Sequence, residues 1–334
     1  MHCTVIYRCR YNIKKLNKKE LFVVVILNYC FICLIFGTTF LAIKIGIEAG
    51  APPFFSAGMR FLAAGVIMMA VFKMRNYRLK TVLFSSSLVF NGFCLTFITF
   101  ASLYWAEQFI PSGLAAVLSA TGPMMVLLHQ ARENKQPIKK EQLAGMAAAL
   151  IGVFLISSPG FSLPVSGMWV LACFMIILSE WFYGLGTVRA KMFTSKHPDI
   201  SPFLSNAVQM FYGGIFLLAV SFLTGEQGKW LLLASYETVL SLLYLIIIGS
   251  IVGHGLYYWL VSKTNPVFPS TWLYISPLVA LIAGYIILNE IMKPITLIGA
   301  FLILFGVFLT NRSTFYEYWK KGALFHRTAS KNFD

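Results

Sequence analysis

Ten long apolar runs dominate this sequence of 334 residues and set what it can fold into. They lie at about 21–47, 54–72, 81–106, 111–130, 142–158, 166–188, 202–224, 236–262, 266–289 and 294–311. A helix of about 17 to 25 apolar residues crosses about 30 Å of hydrocarbon. A chain in lipid must satisfy its own backbone hydrogen bonds, and these runs are too long for barrel strands. We therefore predict an all-α integral membrane protein with ten transmembrane helices.

Composition and charge agree with this class. Hydrophobic residues make up 58% of the chain and charged residues 12%, and the mean hydropathy is +0.75. The net charge of +15 is dispersed between the apolar runs, which argues against nucleic-acid binding. Of the Lys and Arg residues, 23 lie in the two tails and the even-numbered connections and two in the odd-numbered ones. This alternation predicts a multi-pass protein of the cell membrane with both termini cytoplasmic.

The two halves of the chain resemble each other. A shift of 154 residues aligns Tyr104 with Tyr258, Pro123 with Pro277, and "IGVFL" at 151–155 with "FGVFL" at 305–309; a shift near 149 aligns "PFFSAGMRFLAAG" at 53–65 with "PFLSNAVQMFYGG" at 202–214. Each half has five predicted helices, an odd number, so the halves must enter the membrane from opposite sides. We predict two inverted five-helix repeats, a construction typical of alternating-access transporters. The domains are a basic tail (1–19), the repeats (20–158 and 166–311) and a cytoplasmic tail (312–334).

Several segments carry a family resemblance. The stretches 36–65, 104–123 and 276–290, with "IGAFLILFGVFL" at 298–309, resemble the EamA branch of the drug/metabolite transporter superfamily over residues 20 to 312. The resemblance implies ten helices in two inverted repeats around a central cavity, and export or uptake of small metabolites. The sequence departs from the pattern at Gln136, where an acidic residue matching Glu290 is expected.

The expected function is a secondary transporter that moves small metabolites, amino acids or related compounds, across the cytoplasmic membrane, with efflux as the expected direction. Its partners are a small-molecule substrate and the lipid bilayer, with protons as the candidate coupling ion. The alternative is a membrane sensor or assembly component that transports nothing. The sequence indicates no cofactor and no particular oligomeric state.

Two basic residues break the charge pattern. Arg60 lies on a helix stripe with the small residues Ser56, Ala63 and Ala64, which gives its guanidinium a path into the bundle. Its repeat partner Gln209 is also polar, and we place both in the substrate cavity. We predict that Lys44 pairs with Glu48 one turn later or extends to the lipid headgroups. The alternative is that Lys44 lines the substrate cavity.

Four further residues complete the predicted cavity. Pro123 and Pro277 occupy equivalent positions in the two halves, and paired helix interruptions point to a binding site near the membrane midplane. His254 and Trp259 follow on the eighth helix, although a single histidine in a helix more often serves packing. Aromatic residues at the outer helix ends, such as Tyr104, are expected to anchor the protein in the membrane interface.

Glu180 is the one acid in the interior of a predicted span, about halfway along the sixth helix. A buried carboxyl group can bind and release a proton, which makes Glu180 the candidate for ion coupling; the alternative is a hydrogen-bonded acid that only joins helices. Cys30 and Cys33 lie within an apolar helix without histidines nearby, so no metal site is expected. The sequence also lacks a phosphate-binding loop and a nucleophile motif, so we do not expect an enzyme.

Overall fold

The computed structural model describes residues 18–77, 79–157, 166–226, 235–279 and 294–330, and every regular element within these ranges is a helix. We number the main helices in chain order. They are α1 (Lys18–Glu48), α2 (Pro53–Met74), α3 (Ser86–Ala106), α4 (Ser112–Asn134), α5 (Lys140–Ser157), α6 (Gly167–Lys196), α7 (Pro202–Leu223), α8 (Tyr236–Lys263), α9 (Val267–Val279) and α10 (Pro294–Ser330).

Eight of these helices are long and apolar enough to cross a membrane, counted over the described residues. They are α1 to α4, α6 to α8, and α10, whose candidate span is Leu297–Tyr316. The chain is thus a multi-pass membrane protein, as predicted. The chain after α5 (158–165) and after α9 (280–293) lies outside the described residues, as do Trp230, Glu290 and the tail up to residue 17. The number of ten spans stays a prediction.

Two helix pairs join the halves of the chain through glycines. Where α2 crosses α7, a Cβ atom on Gly65 would lie 2.7 Å from the backbone nitrogen of Phe211, and one on Gly214 would lie 2.5 Å from that of Leu62. Helix α5 crosses α10 in the same way at Gly152 and Gly299. Such close backbone contact tolerates no side chain and increases the van der Waals contact that holds helices together in lipid.

Three spans are irregular at mid-depth. Helix α3 widens to a π-helix at Gly92–Ile98, and α8 does so at Leu245–His254. Helix α4 breaks between Ser119 and Gly122, and its second segment restarts at Gly122 with Pro123 in the first turn. Proline suits this position because the first backbone N–H groups of a helix have no partner inside the helix. Irregular turns of this kind are frequently found at functional sites.

The two ends of the bundle differ in charge. We call one end of the bundle the basic end. There the last turns of α2, α4, α6 and α8 carry Lys73, Arg132, Lys196 and Lys263. The Lys191 ammonium group donates to the Ser262 carbonyl oxygen at 2.9 Å and joins the ends of α6 and α8 there. At the opposite end, the Glu226 carboxylate after α7 accepts hydrogen bonds from the backbone N–H groups of Phe54 at 3.2 Å and Phe55 at 2.8 Å. Glu226 thereby caps α2.

Replacing Glu226 by glutamine tests this cap. A carboxylate at a helix N-terminus accepts two N–H groups and opposes the positive end of the helix dipole, whereas an amide has one accepting oxygen and no charge. We expect Glu226→Gln to cost about 1 kcal/mol and to lower Tm by about 3 °C. Tryptophan fluorescence during heating of the purified protein in detergent measures this. The exposed Glu237, near the start of α8, is the control, and an equal loss in Glu237→Gln would reject the cap.

Candidate functional site

A cavity of about 50 Å³ lies in the middle of the bundle. Side chains from α1 to α4 and from α6 to α9 line it, among them Phe36, Arg60, Phe100, Ser119, Glu180, Tyr183, Gln209, His254, Tyr257 and Trp272. A space of this size holds a few water molecules, whereas pockets for small organic ligands measure about 300 to 1,000 Å³. The central cavity is thus smaller than a typical ligand pocket.

Arg60 points into this cavity and is 1% exposed. Its Nε atom donates to the Ser250 hydroxyl at 2.9 Å, and its Nη1 atom donates to the Tyr104 hydroxyl at 3.2 Å. The guanidinium also lies over the rings of Phe61 and Phe100, at 4.6 and 5.1 Å from their centres. No carboxylate of the described residues lies within ion-pairing distance of it. A buried cation held only by neutral groups attracts an anionic group that enters the cavity.

Gln209, which corresponds to Arg60 in the second half of the chain, lines the same cavity. It is 1% exposed. Its side-chain oxygen accepts a hydrogen bond from the Tyr258 hydroxyl, and its side-chain nitrogen donates to Asn206 Oδ1 at 3.2 Å. Both ends of the amide are therefore engaged, so Gln209 is fixed in place as a neutral polar wall of the cavity.

Glu180 lines the cavity at the break in α4 and is 3% exposed. The Ser119 hydroxyl, at the end of the first segment of α4, is a hydrogen-bond partner of its carboxyl group. Its Oε2 atom has no partner among the described residues and packs against Gly122, where a Cβ atom would collide with it. The break in α4 thus makes room for a carboxyl group of which one oxygen has no hydrogen-bond partner among the described residues.

A chain of hydroxyl groups continues from this point. The Trp272 Nε1 atom donates to the Tyr183 hydroxyl at 3.3 Å, and Tyr183 donates to the Tyr257 hydroxyl at 2.8 Å. The Thr187 hydroxyl lies 3.0 Å from the same Tyr257 oxygen. These contacts join α6, α8 and α9 beside Glu180. Sequence reasoning missed Tyr183, Tyr257 and Trp272 as cavity residues, because aromatic residues in apolar helices usually serve as packing.

His254 ends the π-helical segment of α8 and also lines the cavity. The rings of Phe36, Phe61 and Phe100 surround it, with centroid distances of 5.0, 5.7 and 5.5 Å. Its Nε2 atom has no hydrogen-bond partner in the described part of the chain. The structure therefore gathers Arg60, Gln209, Glu180 and His254, four of the predicted site residues, around one space.

The other four predicted site residues lie elsewhere. Pro123 lies in the first turn after the break in α4, directly after Gly122, which packs against the cavity residue Glu180. Pro277 is buried in α9. Trp259 follows Tyr258 on α8 and packs against the core from a partly buried position. Lys44 lies toward the opposite end of the bundle. These residues are not part of the lining of the cavity.

Lys44 has two partners. Its Nζ atom lies 3.8 Å from Glu48 Oε1, which confirms the ion pair read from the sequence. It also donates to the backbone carbonyl oxygen of Glu107 at 2.8 Å, a contact that no pattern in the sequence indicates. Tyr104 corrects another expectation: it is 1% exposed and bonded to Arg60, so it does not anchor the protein in the membrane interface.

Glu107 lies just beyond the span Ser86–Ala106 and is fully buried. Neither carboxyl oxygen has a hydrogen-bond partner among the described residues. Burial raises the pKa of Glu107 well above its ordinary value; the nearby Lys44 ammonium opposes this rise, and the Glu48 carboxylate adds to it. Because the folded protein then binds more protons than the unfolded chain above the ordinary pKa, its stability falls as the pH rises through the raised pKa.

The variant Glu107→Gln removes this titration. We expect the Tm of the parent protein to fall between about pH 5 and pH 8, and the Tm of the variant to fall less and to be at least as high at pH 8. Heating curves in detergent at four pH values measure the difference. The control Glu48→Gln changes a more exposed acid beside the same lysine and should keep most of the slope. If Glu107→Gln kept the parent's slope in full, Glu107 would not be the titrating group.

Comparison with known proteins now gives the family. The profile of the EamA-like transporter family matches residues 23–158 and again residues 170–312. The chain belongs to this family. The resemblance read from the sequence is thus confirmed.

Curated EamA-like relatives cover nearly the same part of the chain. The uncharacterized inner membrane transporter YedA of Escherichia coli is 29% identical over 83% of this chain and 87% of its own length. The probable amino-acid metabolite efflux pump of Salmonella typhimurium is 28% identical over 83% and 91%. Protein PecM of Dickeya dadantii is 26% identical over 86% and 92%. The family and the relatives that are named by activity are transporters and not enzymes.

A solved structure has a similar fold. This crystal structure superposes with a TM-score of 0.67, and the match covers 86% of this chain and 96% of the other chain, at 17% sequence identity. At this level of identity the similarity shows a shared fold.

Proposed function

We propose that this chain is a secondary transporter that moves small metabolites, amino acids or related compounds, across the cytoplasmic membrane by alternating access, with efflux as its direction. The observation that carries the proposal is the central cavity, which is lined both by the Arg60 cation, without an acid in ion-pairing distance, and by the Glu180 carboxyl group, whose Oε2 atom has no partner among the described residues. The relative named as a probable amino-acid metabolite efflux pump supports the substrate class and direction.

The chemistry of the cavity suits a zwitterion. The guanidinium of Arg60 can receive a carboxylate in a bidentate hydrogen bond, and the faces of Tyr183 and Trp272 can receive an ammonium group. The ring of Phe36 and the other apolar walls can receive a side chain. Since the cavity holds about 50 Å³ in this state, a substrate enters only when the helices around it separate, as alternating access requires.

The proposal includes ten helices in two inverted five-helix repeats. Three features support it. The crossings pair corresponding helices of the two halves, α2 with α7 and α5 with α10. The π-helical segments lie in α3 and α8, which also correspond. The family profile matches each half separately. We place the basic end, and with it both termini, in the cytoplasm, because cytoplasmic loops of membrane proteins carry the excess of Lys and Arg.

Some predicted roles remain part of the proposal. Glu180 is the candidate proton carrier. Pro123 and Pro277 are proposed to shape α4 and α9 beside the cavity, Trp259 to support the wall formed by α8, and Lys44 to reach the cavity from the opposite end in another conformation. The central positions Arg60, Gln209 and His254 are proposed to contact the substrate.

Counterflow in proteoliposomes tests the function. Vesicles that contain the purified protein are loaded with an unlabelled mixture of amino acids and diluted into one radiolabelled amino acid at a time. A transporter gives a transient excess of label inside, whereas protein-free vesicles and vesicles with an unrelated membrane protein give none. A sensor or assembly component would also give none, and the absence of counterflow for every amino acid, with the protein still folded by size-exclusion chromatography, would reject the amino-acid proposal.

A further inference from the structure

A second and larger cavity opens at the basic end of the bundle. It measures about 410 Å³, within the range of pockets for small organic ligands and far above the central cavity. It lies between the end of α4, the start of α5, the connection from α8 to α9, and the middle of α10. No residue that lines it lines the central cavity, so the two are separate spaces.

The lining of this cavity is polar and carries a positive charge. Its described lining residues include two lysines, Lys139 and Lys263, and no carboxylate. Amide and hydroxyl groups supply the rest of its polar surface: Gln130, Asn134, Gln136, Gln142, Thr264, Asn265, Thr310, Asn311, Ser313 and Thr314. The nearby acid Glu141 lies 3.5 Å from Arg312 and is paired outside the lining. Hydrogen-bond donors and cations in one lining favour an anionic ligand.

Two buried groups at the wall have no partner. Thr310 is 2% exposed, and its hydroxyl lacks a hydrogen-bond partner in the described part of the chain. The side-chain oxygen of Gln130 is likewise buried and unpartnered, and a half-turn of its amide would place the NH₂ group there. Buried polar groups are almost always satisfied, by protein, water or ligand. Both residues line the cavity, and the Thr310 hydroxyl packs against Gly145 of α5.

Other lining groups are fixed in place. The Asn265 Nδ2 atom donates to the Thr314 hydroxyl at 2.7 Å, and its Oδ1 atom accepts from the backbone N–H of Phe268 at 2.9 Å. Across the cavity, the Lys139 N–H donates to the Gln142 side chain at 3.2 Å, just before α5 begins. The positive end of the α5 dipole adds to the potential there. The site is thus organised before any ligand binds.

We propose that this cavity is a second binding site, for a small molecule or lipid headgroup that carries an oxyanion such as phosphate or carboxylate. The two lysines supply the charge, and the amide and hydroxyl side chains of the lining supply hydrogen bonds. The site does not depend on what the central cavity carries, because the two cavities share no residue.

Orthophosphate is the probe. In neutral detergent at constant ionic strength, we expect it to raise the Tm of the protein in a saturable way, by about 3 °C at ten times its Kd, whereas chloride does not. The double variant Lys139→Gln with Lys263→Gln should lose the shift. The control, Lys140→Gln with Lys196→Gln, removes two exposed lysines of the same end and should keep it. Equal shifts in both double variants, or an equal effect of chloride, would overturn the proposal.

A direct binding measurement tests the proposal even if a double variant does not fold. Equilibrium dialysis with radiolabelled orthophosphate is performed on the parent protein and on Ser313→Ala, which removes a half-buried hydroxyl of the lining. We expect weaker binding in the variant, and an unchanged Kd would remove Ser313 from the site. Nanodiscs then separate the two sources of the anion. Binding in phosphatidylcholine that disappears when phosphatidylglycerol is added identifies a headgroup site, and binding in both lipids identifies a soluble ligand. No binding in detergent or in phosphatidylcholine would reject the site.

Discussion

Glu180→Gln is expected to abolish substrate accumulation driven by a pH gradient and to leave substrate exchange intact. Glutamine keeps the shape of the side chain and its contact with Ser119 but cannot bind and release a proton. With one proton exchanged per cycle, a gradient of 1 pH unit is worth about 1.4 kcal/mol, or about a tenfold concentration ratio. We expect the parent protein to approach that ratio in vesicles that are more acidic inside, and the variant to reach no accumulation. Exchange needs no net proton movement and should continue.

A matched control separates coupling from structure. Glu48→Gln removes an exposed acid from α1 and should retain accumulation. If Glu180→Gln still accumulated substrate under the imposed gradient, Glu180 would serve only to join α6 to α4 through Ser119. Loss of both accumulation and exchange in a folded variant would assign Glu180 to substrate binding instead of proton coupling.

Arg60→Gln is the second change with a large expected effect. A hydrogen bond to a charged group is worth about 1.5 to 3 kcal/mol, so its loss should weaken binding of a carboxylate substrate about 10- to 100-fold. An analogue with a carboxamide in place of the carboxylate should lose far less, because it has no charge for Arg60 to attract. Competition of leucine and leucinamide against labelled substrate in proteoliposomes measures the two losses.

Two further variants make the Arg60 result specific. Arg60→Lys keeps the charge but not the fork of donors that reaches Ser250 and Tyr104, so it should recover part of the leucine binding. Arg75→Gln removes an exposed arginine at the basic end and should have no effect. An equal loss for leucine and leucinamide, or a variant that fails to fold, would mean that Arg60 serves helix packing.

Helix positions and buried charges could be predicted because the free energy rises when an apolar run leaves the membrane or a charged group faces lipid. The apolar runs mark α1 to α4 and α6 to α8 closely, since each run must match the hydrocarbon thickness. Arg60, Gln209 and Glu180 were identified for the same reason, because a polar group inside a span must face protein or a cavity. The structure brings all three to one space.

Other parts of the site left no sequence signal. Tyr183 and Trp272 look like ordinary packing residues until the helices that carry them are placed side by side. Ser119 gains its partner from a break in α4 whose position Pro123 only approximates. The carbonyl oxygen of Glu107, which receives Lys44, is a backbone atom and has no residue type to reveal it. Contacts between distant segments and backbone acceptors therefore require the fold.

The π-helical segment Gly92–Ile98 determines which way the rest of α3 faces. A wide turn accommodates an extra residue, whereas each residue of a regular α-helix turns the chain by about 100°. Because the wide turn absorbs the extra residue, the residues that follow keep nearly the same facing as they would have in a regular helix without that residue. A deletion in the regular turns between this segment and Tyr104 would instead rotate Tyr104 by about that angle and turn it away from Arg60, and no substitution would be needed to disconnect them. Insertions and deletions of one residue should therefore be tolerated better within this short segment than in the regular turns that follow it.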